Sequence, residues 1–221
     1  MEFDVGYLLL QLPALGRGLR LTVQASALAI LLSFALGLAG ASLRVLRVPV
    51  LSPVVAFYVE FIRNTPLLVQ LFFLFFGLPS LGLTLSLFST GVLALTLWAG
   101  AFQVENVRGG LAAVAPGLGE AARALGLSRA HYLLLVGLPL AVRTGLPSIL
   151  NTAVSLIKNS AYLSAIGVQE LTGVAFDRIA SDFRAFEMLA VLLVGYLLVV
   201  LSLSAAVRAL DHRLSLPFRT A

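Results

Sequence analysis

Four polar side chains recur at helical spacing inside a hydrophobic segment of the chain. Thr152, Ser155, Asn159 and Tyr162 are 3, 4 and 3 residues apart, so an α-helix would place them on one face. Lipid would leave their hydroxyl and amide groups without hydrogen-bond partners, so this face should meet a polar pathway or another helix. We expect a pathway for a polar solute, with Ser160 beside it. Contact between helices is the alternative, because serine and threonine are common in such contacts.

A second polar group interrupts an earlier apolar run, in the stretch YVEFIRNTPLLVQ. The residue before a proline is biased away from the helix, so Pro66 predicts a kink or half-helix near Thr65. Backbone groups freed there, together with the side chains of Thr65 and Gln70, could bind a polar ligand. The alternative is a kink that only shapes the bundle.

Three charged residues fall within or beside apolar runs, where charge is costly. They are Lys158, Glu105 and Arg63. Lys158 could bind a substrate carboxylate, or could pair with Glu60 or Glu105. We expect the pair with Glu105, because an unpaired lysine at that depth would lose its proton. His131 and His212 are isolated, so neither a metal site nor a catalytic residue is predicted.

The elements that must position these residues are membrane helices. Of the 221 residues 60% are hydrophobic and 11% are charged, against about a quarter charged in soluble proteins. The mean hydropathy is +1.02. We therefore predict an all-α integral membrane protein with one transmembrane domain over residues 1–221. The chain has no cysteine, which excludes disulfides and thiolate metal sites.

Five apolar runs are long enough to cross a membrane. They cover about residues 21–43, 54–76, 87–104, 146–168 and 188–208, and the Thr65–Pro66 break falls in the second. An acidic loop of about residues 169–187 between the last two runs is long enough for a short surface helix.

The arginines are unevenly divided between the two sides that these five spans would create. Ten lie on one side, namely Arg44, Arg47, Arg63, Arg108, Arg123, Arg129, Arg143, Arg208, Arg213 and Arg219; the other side has Arg17, Arg20, Arg178 and Arg184. Because cytoplasmic loops are enriched in arginine, the amino terminus should lie outside and the carboxyl terminus in the cytoplasm. Topology thus accounts for the net charge of +5, and no nucleic-acid partner is expected.

A stretch of about residues 117–130, on the predicted cytoplasmic side, has the composition of an amphipathic helix. Its small residues would let a partner approach closely, which indicates a docking surface. The residues assigned to it are Glu120, Ala121, Ala122, Arg123, Leu125 and Gly126. The alternative is a helix that lies on lipid headgroups.

The spacing of this stretch resembles the EAA loop of permease subunits of bacterial ATP-binding-cassette (ABC) importers. Glu-Ala-Ala is followed after three residues by Gly126, and after nine more by VGLP. YVEFIRNTPLLVQLFFLFFGLP, AFQVENVRGGLAAVAPGLGEAARALG and NTAVSLIKNSAYLSAIGVQEL resemble the second, third and fourth spans of the polar amino acid uptake branch, which includes permeases of the histidine, glutamine and glutamate type. The resemblance covers about residues 15–217. The chain departs from the branch at Asn64, at QVEN (Gln103 to Asn106) and at Leu118.

The resemblance implies a type I ABC importer permease fold in a bacterial inner membrane. It implies three partners besides membrane lipid: an ATPase subunit dimer that binds ATP and Mg, an extracytoplasmic amino-acid-binding protein, and a second permease copy or a paralogue. Glu120 and Arg123 would contact the ATPase, or would pair only with each other. The sequence contains no G-x-x-x-x-G-K-[ST], so ATP hydrolysis should belong to the partner and no cofactor is expected in this chain.

The polar face contains no acidic residue, and Asn159 follows Lys158. The substrate should therefore be a polar amino acid that is neutral or acidic rather than basic. Two other classes remain open: a self-contained secondary carrier or channel, and a membrane scaffold that transports nothing.

Overall fold

The computed structural model describes the backbone of residues 3–215 and the side chains of residues 3–209, and this part of the chain contains helices and turns but no strand. The helices are α1 (Val5–Val45), α2 (Leu51–Arg63), α3 (Leu67–Ser80), α4 (Leu87–Ala112), α5 (Pro116–Ala124), α6 (Arg129–Tyr132), α7 (Leu138–Asn159), α8 (Leu171–Asp182) and α9 (Ala185–Ser215). A π-helix, Leu133–Gly137, joins α6 to α7, and a 3₁₀ helix, Ser160–Ile166, follows α7. The side chains of His212, Arg213 and Arg219 lie outside the described residues.

Within residues 3–215, four continuous helical segments are long and apolar enough to cross a membrane, and the bent pair α2–α3 makes a fifth where it is counted as one broken span rather than a re-entrant loop. The predicted all-α membrane fold is thus confirmed. The segment that contains α7 begins at Arg129 rather than near residue 146. The acidic loop contains α8, which is the short helix that its length allows.

Helix α1 begins at Val5, well before the predicted start at residue 21. Arg17 and Arg20 suggested a boundary, but both are exposed and the helix continues past them. At about 1.5 Å per residue, 41 residues extend about 60 Å, roughly twice the hydrocarbon thickness of a bilayer. Part of α1 therefore lies outside the hydrocarbon layer.

Small residues let α1 and α4 pack closely along their length. All the buried residues of α1 except Leu15 are glycine, alanine, serine or threonine, and they recur three or four residues apart. A Cβ atom at Gly37 would overlap Gln103 of α4. Close backbone approach of this kind stabilises helix pairs in lipid, where apolar side chains alone give no net drive to associate.

Helix α4 is the centre of the bundle and contacts α1, α2, α3 and α7. Half of its 26 residues are buried. Near the C-terminal end of α4, the hydroxyl of Thr144 on α7 donates to the carbonyl oxygen of Gly110 at 2.7 Å. A Cβ atom at Gly110 would overlap the carbonyl oxygen of Ala141. Helices α4 and α7 therefore touch through their backbones.

A buried carboxylate joins α1, α8 and α9. Glu170 begins α8, and its Oε1 accepts from the backbone N–H of Gly173 at 2.9 Å. Its Oε2 accepts from the hydroxyls of Thr22 at 3.1 Å and Tyr196 at 2.9 Å. Because the carboxyl group is removed from water, burial raises the pKa of Glu170 above the ordinary glutamate value.

We expect Glu170→Ala to destabilise the protein and Glu170→Gln to be tolerated. Alanine leaves the N–H of Gly173 without an acceptor and removes the carboxyl group from the hydroxyls of Thr22 and Tyr196, at a cost of about 1–3 kcal/mol for a buried group left unsatisfied, whereas an amide can replace the protonated acid. The native pKa is raised above that of the unfolded chain, so stability is full below the unfolded pKa and falls as pH rises through the native value. Thermal unfolding of the detergent-purified protein, from acidic to neutral pH, should show this decline in the parent and a flatter profile in Glu170→Gln. Equal melting temperatures for Glu170→Ala and the parent would contradict the assignment.

Candidate functional site

The polar face of α7 is divided between two uses. Thr152 is buried, and its hydroxyl accepts from the side-chain amide of Asn106 on α4 at 2.8 Å. The same hydroxyl donates to the carbonyl of Ser148 one turn earlier at 3.2 Å. Thr152 therefore makes the contact between helices that was the alternative interpretation of this face.

Ser155 and Asn159 form the part of this face that has no internal partner. Both are half-buried, and neither side chain makes a hydrogen bond to the described residues. Helix α7 ends at Asn159, and the buried hydroxyl of Ser160 donates to the carbonyl of Ile157 at 2.7 Å as the 3₁₀ helix begins. The α-helical spacing used to place Tyr162 does not apply there, and Tyr162 is 45% exposed.

The second apolar run is broken where Thr65 and Pro66 predict it, and the chain bends by 110° between α2 and α3. The side-chain amide of Gln70 donates to the carbonyl of Ile62 at 2.9 Å and to that of Thr65 at 3.0 Å. The carbonyls of Ile62 and Thr65 at the break are thus bound within the chain rather than open to a ligand. Gln70 Oε1 is buried and has no partner among the described residues, so it is the acceptor that this region leaves unused.

Gln70 lines a cavity of about 350 Å³ at the break, together with Thr65 and Phe73. The other lining residues are apolar and come from α2, α3 and α4. Gln70 Oε1 itself is closed off from this cavity, whose accessible surface is almost entirely apolar.

The three charged residues have different neighbours from those expected. Glu105 pairs with Arg108, one turn further along α4, at 2.9 Å. Lys158 is exposed and has no carboxylate within ion-pair distance among residues 3–209, so the predicted Lys158–Glu105 pair is not formed. Arg108 reaches Glu105 within one helix, which requires no alignment between helices. Arg63 lies over the ring of Phe102, 5.3 Å from its centroid, as a cation–π contact.

The helix predicted over residues 117–130 is two helices, because α5 ends at Ala124 and α6 begins at Arg129. The N–H of Leu127 donates to the carbonyl of Ala122 and that of Gly126 to the carbonyl of Arg123, both at 3.0 Å. This pair of hydrogen bonds is a Schellman motif, which ends a helix and requires a residue in the left-handed conformation. Gly126 has φ +77°, and a Cβ there would meet nothing within 4 Å. Backbone conformation, not close approach, is what requires this glycine.

Helix α5 is exposed over nearly all of its surface. Ala122 is its one buried residue, while Glu120, Ala121 and Arg123 are exposed. Glu120 and Arg123 make no ion pair with each other, so the alternative of mutual pairing is not seen. Leu125, directly after the helix, is 82% exposed. Ala121 is exposed as well, so this end of α5 leaves a small apolar surface that no other part of the described chain covers.

Two residues of the QVEN segment have roles that sequence reasoning missed. The amide of Gln103 donates to the carbonyl of Ile149 on α7 at 3.2 Å, and its oxygen accepts from Asn106 at 3.0 Å. Their spacing of three residues, on one helix face, was the available signal. Polar side chains buried between membrane helices hold those helices in register.

The chain is similar to known membrane proteins over nearly its full length. It matches the family described as the inner membrane component of binding-protein-dependent transport systems over residues 29–216. A probable glutamine ABC transporter permease protein of Bacillus subtilis strain 168 is 37% identical over 220 aligned positions, covering 96% of this chain and 99% of that protein. The glutamine transport system permease protein of Escherichia coli strain K12 is 34% identical over 218 positions, covering 98% and 100%.

Solved structures share the same arrangement. A crystal structure of an amino acid ABC transporter with histidines has a TM-score of 0.87 and 32% identity, covering 96% of this chain and 100% of that chain. The methionine ABC transporter MetNI in an inward facing conformation has a TM-score of 0.79 at 23% identity, covering 92% and 97%, which shows a common fold.

Proposed function

The chain belongs to the family of inner membrane components of binding-protein-dependent transport systems, and on that basis we propose that it is the membrane-spanning subunit of an ATP-driven importer of a polar amino acid. Its relatives are permease subunits rather than ATPases, so ATP hydrolysis lies in a partner subunit. The names of the two relatives give glutamine as their substrate, which supports a neutral substrate here. The solved amino acid ABC transporter is described with histidines, so the comparisons alone do not separate a neutral substrate from a basic one, and the preference for a neutral or acidic substrate rests on the absence of an acidic residue from the polar face.

The first part of this proposal, coupling to an ATPase, rests on the exposure of α5 and of Leu125. Docking in a groove of an ATPase dimer would cover the leucine and the alanine surface around it, which face no other part of the described chain. Glu120 and Arg123 flank this surface and are open to charged groups of the partner. Closure of the ATPase dimer would then move α5 and the helices attached to it. With this side in the cytoplasm, the carboxyl terminus is also cytoplasmic and the amino terminus is outside.

The substrate half of the proposal rests on Ser155, Asn159 and Lys158. The first two offer unpaired hydroxyl and amide groups, and the exposed lysine offers a cation for a substrate carboxylate. Gln70 Oε1, at the break between α2 and α3, is a further acceptor that a substrate would reach only when the side chains around it move. Five spans form only half a pathway, so a second permease copy or a paralogue completes it, and an external amino-acid-binding protein delivers the substrate.

Reconstitution in liposomes tests the class of transporter. We expect no uptake by this chain alone, and ATP-dependent uptake when the cognate ATPase and binding protein are present. Among radiolabelled glutamine, glutamate and arginine, arginine should be taken up least. ATP-independent uptake by the chain alone would establish a secondary carrier instead, and ATP hydrolysis that no amino acid stimulates would favour a scaffold.

Leu125→Glu should reduce ATP-dependent uptake by about tenfold or more, because burying a charge at the centre of a docking contact costs at least as much as losing a key apolar contact. Retention of the ATPase on the tagged chain during purification should fall in parallel. Leu81→Glu is the matched control, since Leu81 is 77% exposed in the turn between α3 and α4. If both variants keep the ATPase equally well, α5 is not the docking element.

Asn159→Asp should raise uptake of arginine relative to glutamine by about tenfold, the effect of roughly 1.4 kcal/mol from one new favourable charge contact. The measurement is the ratio of initial uptake rates in the complete transporter. Gln169→Glu is the control, because it is the same change from amide to acid, and Gln169 is exposed and lies beyond the 3₁₀ helix, outside the polar face. A shift of equal size in both variants would show that net charge, not contact with the substrate, sets the preference.

A further inference from the structure

A basic cavity lies where α1 turns into α2, beside the end of α4. It encloses about 740 Å³, and Arg44, Arg47 and Arg108 line it. The rest of its wall comes mainly from Val48 and Pro49 of the turn and from neighbouring residues, and no carboxylate lines it. None of the pathway residues or α5 contributes to it.

The positive charge of this cavity is not balanced within the described chain. Arg44 is half-buried and Arg47 is exposed, and neither makes an ion pair or a side-chain hydrogen bond with residues 3–209. Arg108 alone has a carboxylate partner, Glu105. The two guanidinium groups that are unpaired in the described part of the protein, Arg44 and Arg47, leave the cavity with a net positive charge that an entering anion would neutralise.

The turn that holds Arg47 has an unusual backbone. Arg47 has φ +53° and Val50 has φ +66°, and neither is glycine. With ψ −51°, Val50 is the central residue of a γ-turn in which the N–H of Leu51 donates to the carbonyl of Pro49 at 2.7 Å, a rare and strained conformation. Strain of this kind persists where the surrounding structure fixes it, and it is concentrated at ligand-binding positions.

We propose that this cavity binds a phosphate group, and that the phosphate belongs to the headgroup of an anionic phospholipid. Guanidinium groups bind phosphate oxygens through paired, charge-assisted hydrogen bonds. The turn connects two membrane-crossing elements, so it lies at a membrane surface. Val50 is 73% exposed and Leu51 is 48% exposed beside the cavity, and both can contact acyl chains. Free phosphate would use the same arginines without these apolar contacts.

Binding of short-chain phosphatidylglycerol to the detergent-purified full chain, followed by native mass spectrometry, tests the proposal. The parent should bind phosphatidylglycerol more tightly than phosphatidylcholine. The double variant Arg44→Gln/Arg47→Gln should bind phosphatidylglycerol about tenfold more weakly, because each arginine near an anionic surface contributes measurably to binding. Arg17→Gln/Arg20→Gln, which removes two exposed arginines from the other part of α1, should bind as the parent does.

Arg44→Lys/Arg47→Lys keeps the charge and should keep the preference for phosphatidylglycerol, which separates loss of charge from loss of fold. Competition by inorganic phosphate at the same concentration would support the phosphate site and identify the free ion as its source, whereas no competition supports the lipid. Equal affinity for the two lipids in the parent, or equal loss in both glutamine variants, would overturn the proposal.

Discussion

Close contact between α1 and α4 is the constraint on which the rest of the bundle depends. Lipid is as apolar as a leucine side chain, so these helices gain little from burying large apolar residues and gain instead from backbone proximity. The small residues of α1 make this possible, and Gly37 packs directly against Gln103. Helix α4, held on one side in this way, then presents Asn106 and Gly110 to α7 on the other.

Much of this fold could be predicted from the sequence, because lipid imposes a simple rule on apolar runs. Length and hydropathy located five crossings, and Pro66 located the bend in the second, since a missing N–H and steric clash act locally. The amino-terminal half of α1 was missed because exposed arginines on a helix surface look the same in sequence as those that end a helix. The small-residue spacing in α1 would have identified its packed face.

The candidate site was less predictable, since its residues are defined by their partners. Thr152 and Asn159 lie two turns apart on one face, yet the first is bonded to Asn106, whereas the second makes no side-chain hydrogen bond within residues 3–209. Glu105 and Lys158 carry opposite charges, but a nearer arginine on the same helix takes the carboxylate. Sequence spacing shows which side chains share a face; it does not show which element from elsewhere in the chain meets that face. Glu170 illustrates the same limit, because its three donors come from α1, α8 and α9.

The contact between α4 and α7 also determines how a push on α5 would act. Three residues separate the end of α4 from α5, and α6 continues through the π-helix into α7 without a break. Just above these joints, Thr144 is bonded to Gly110 and a carbonyl of α7 fills the space beside that glycine. The two helices are therefore fastened together at the end nearest α5. Under the proposed docking of an ATPase at α5, a push on α5 would reach α4 and α7 together, and Asn159 lies at the far end of the second of these helices.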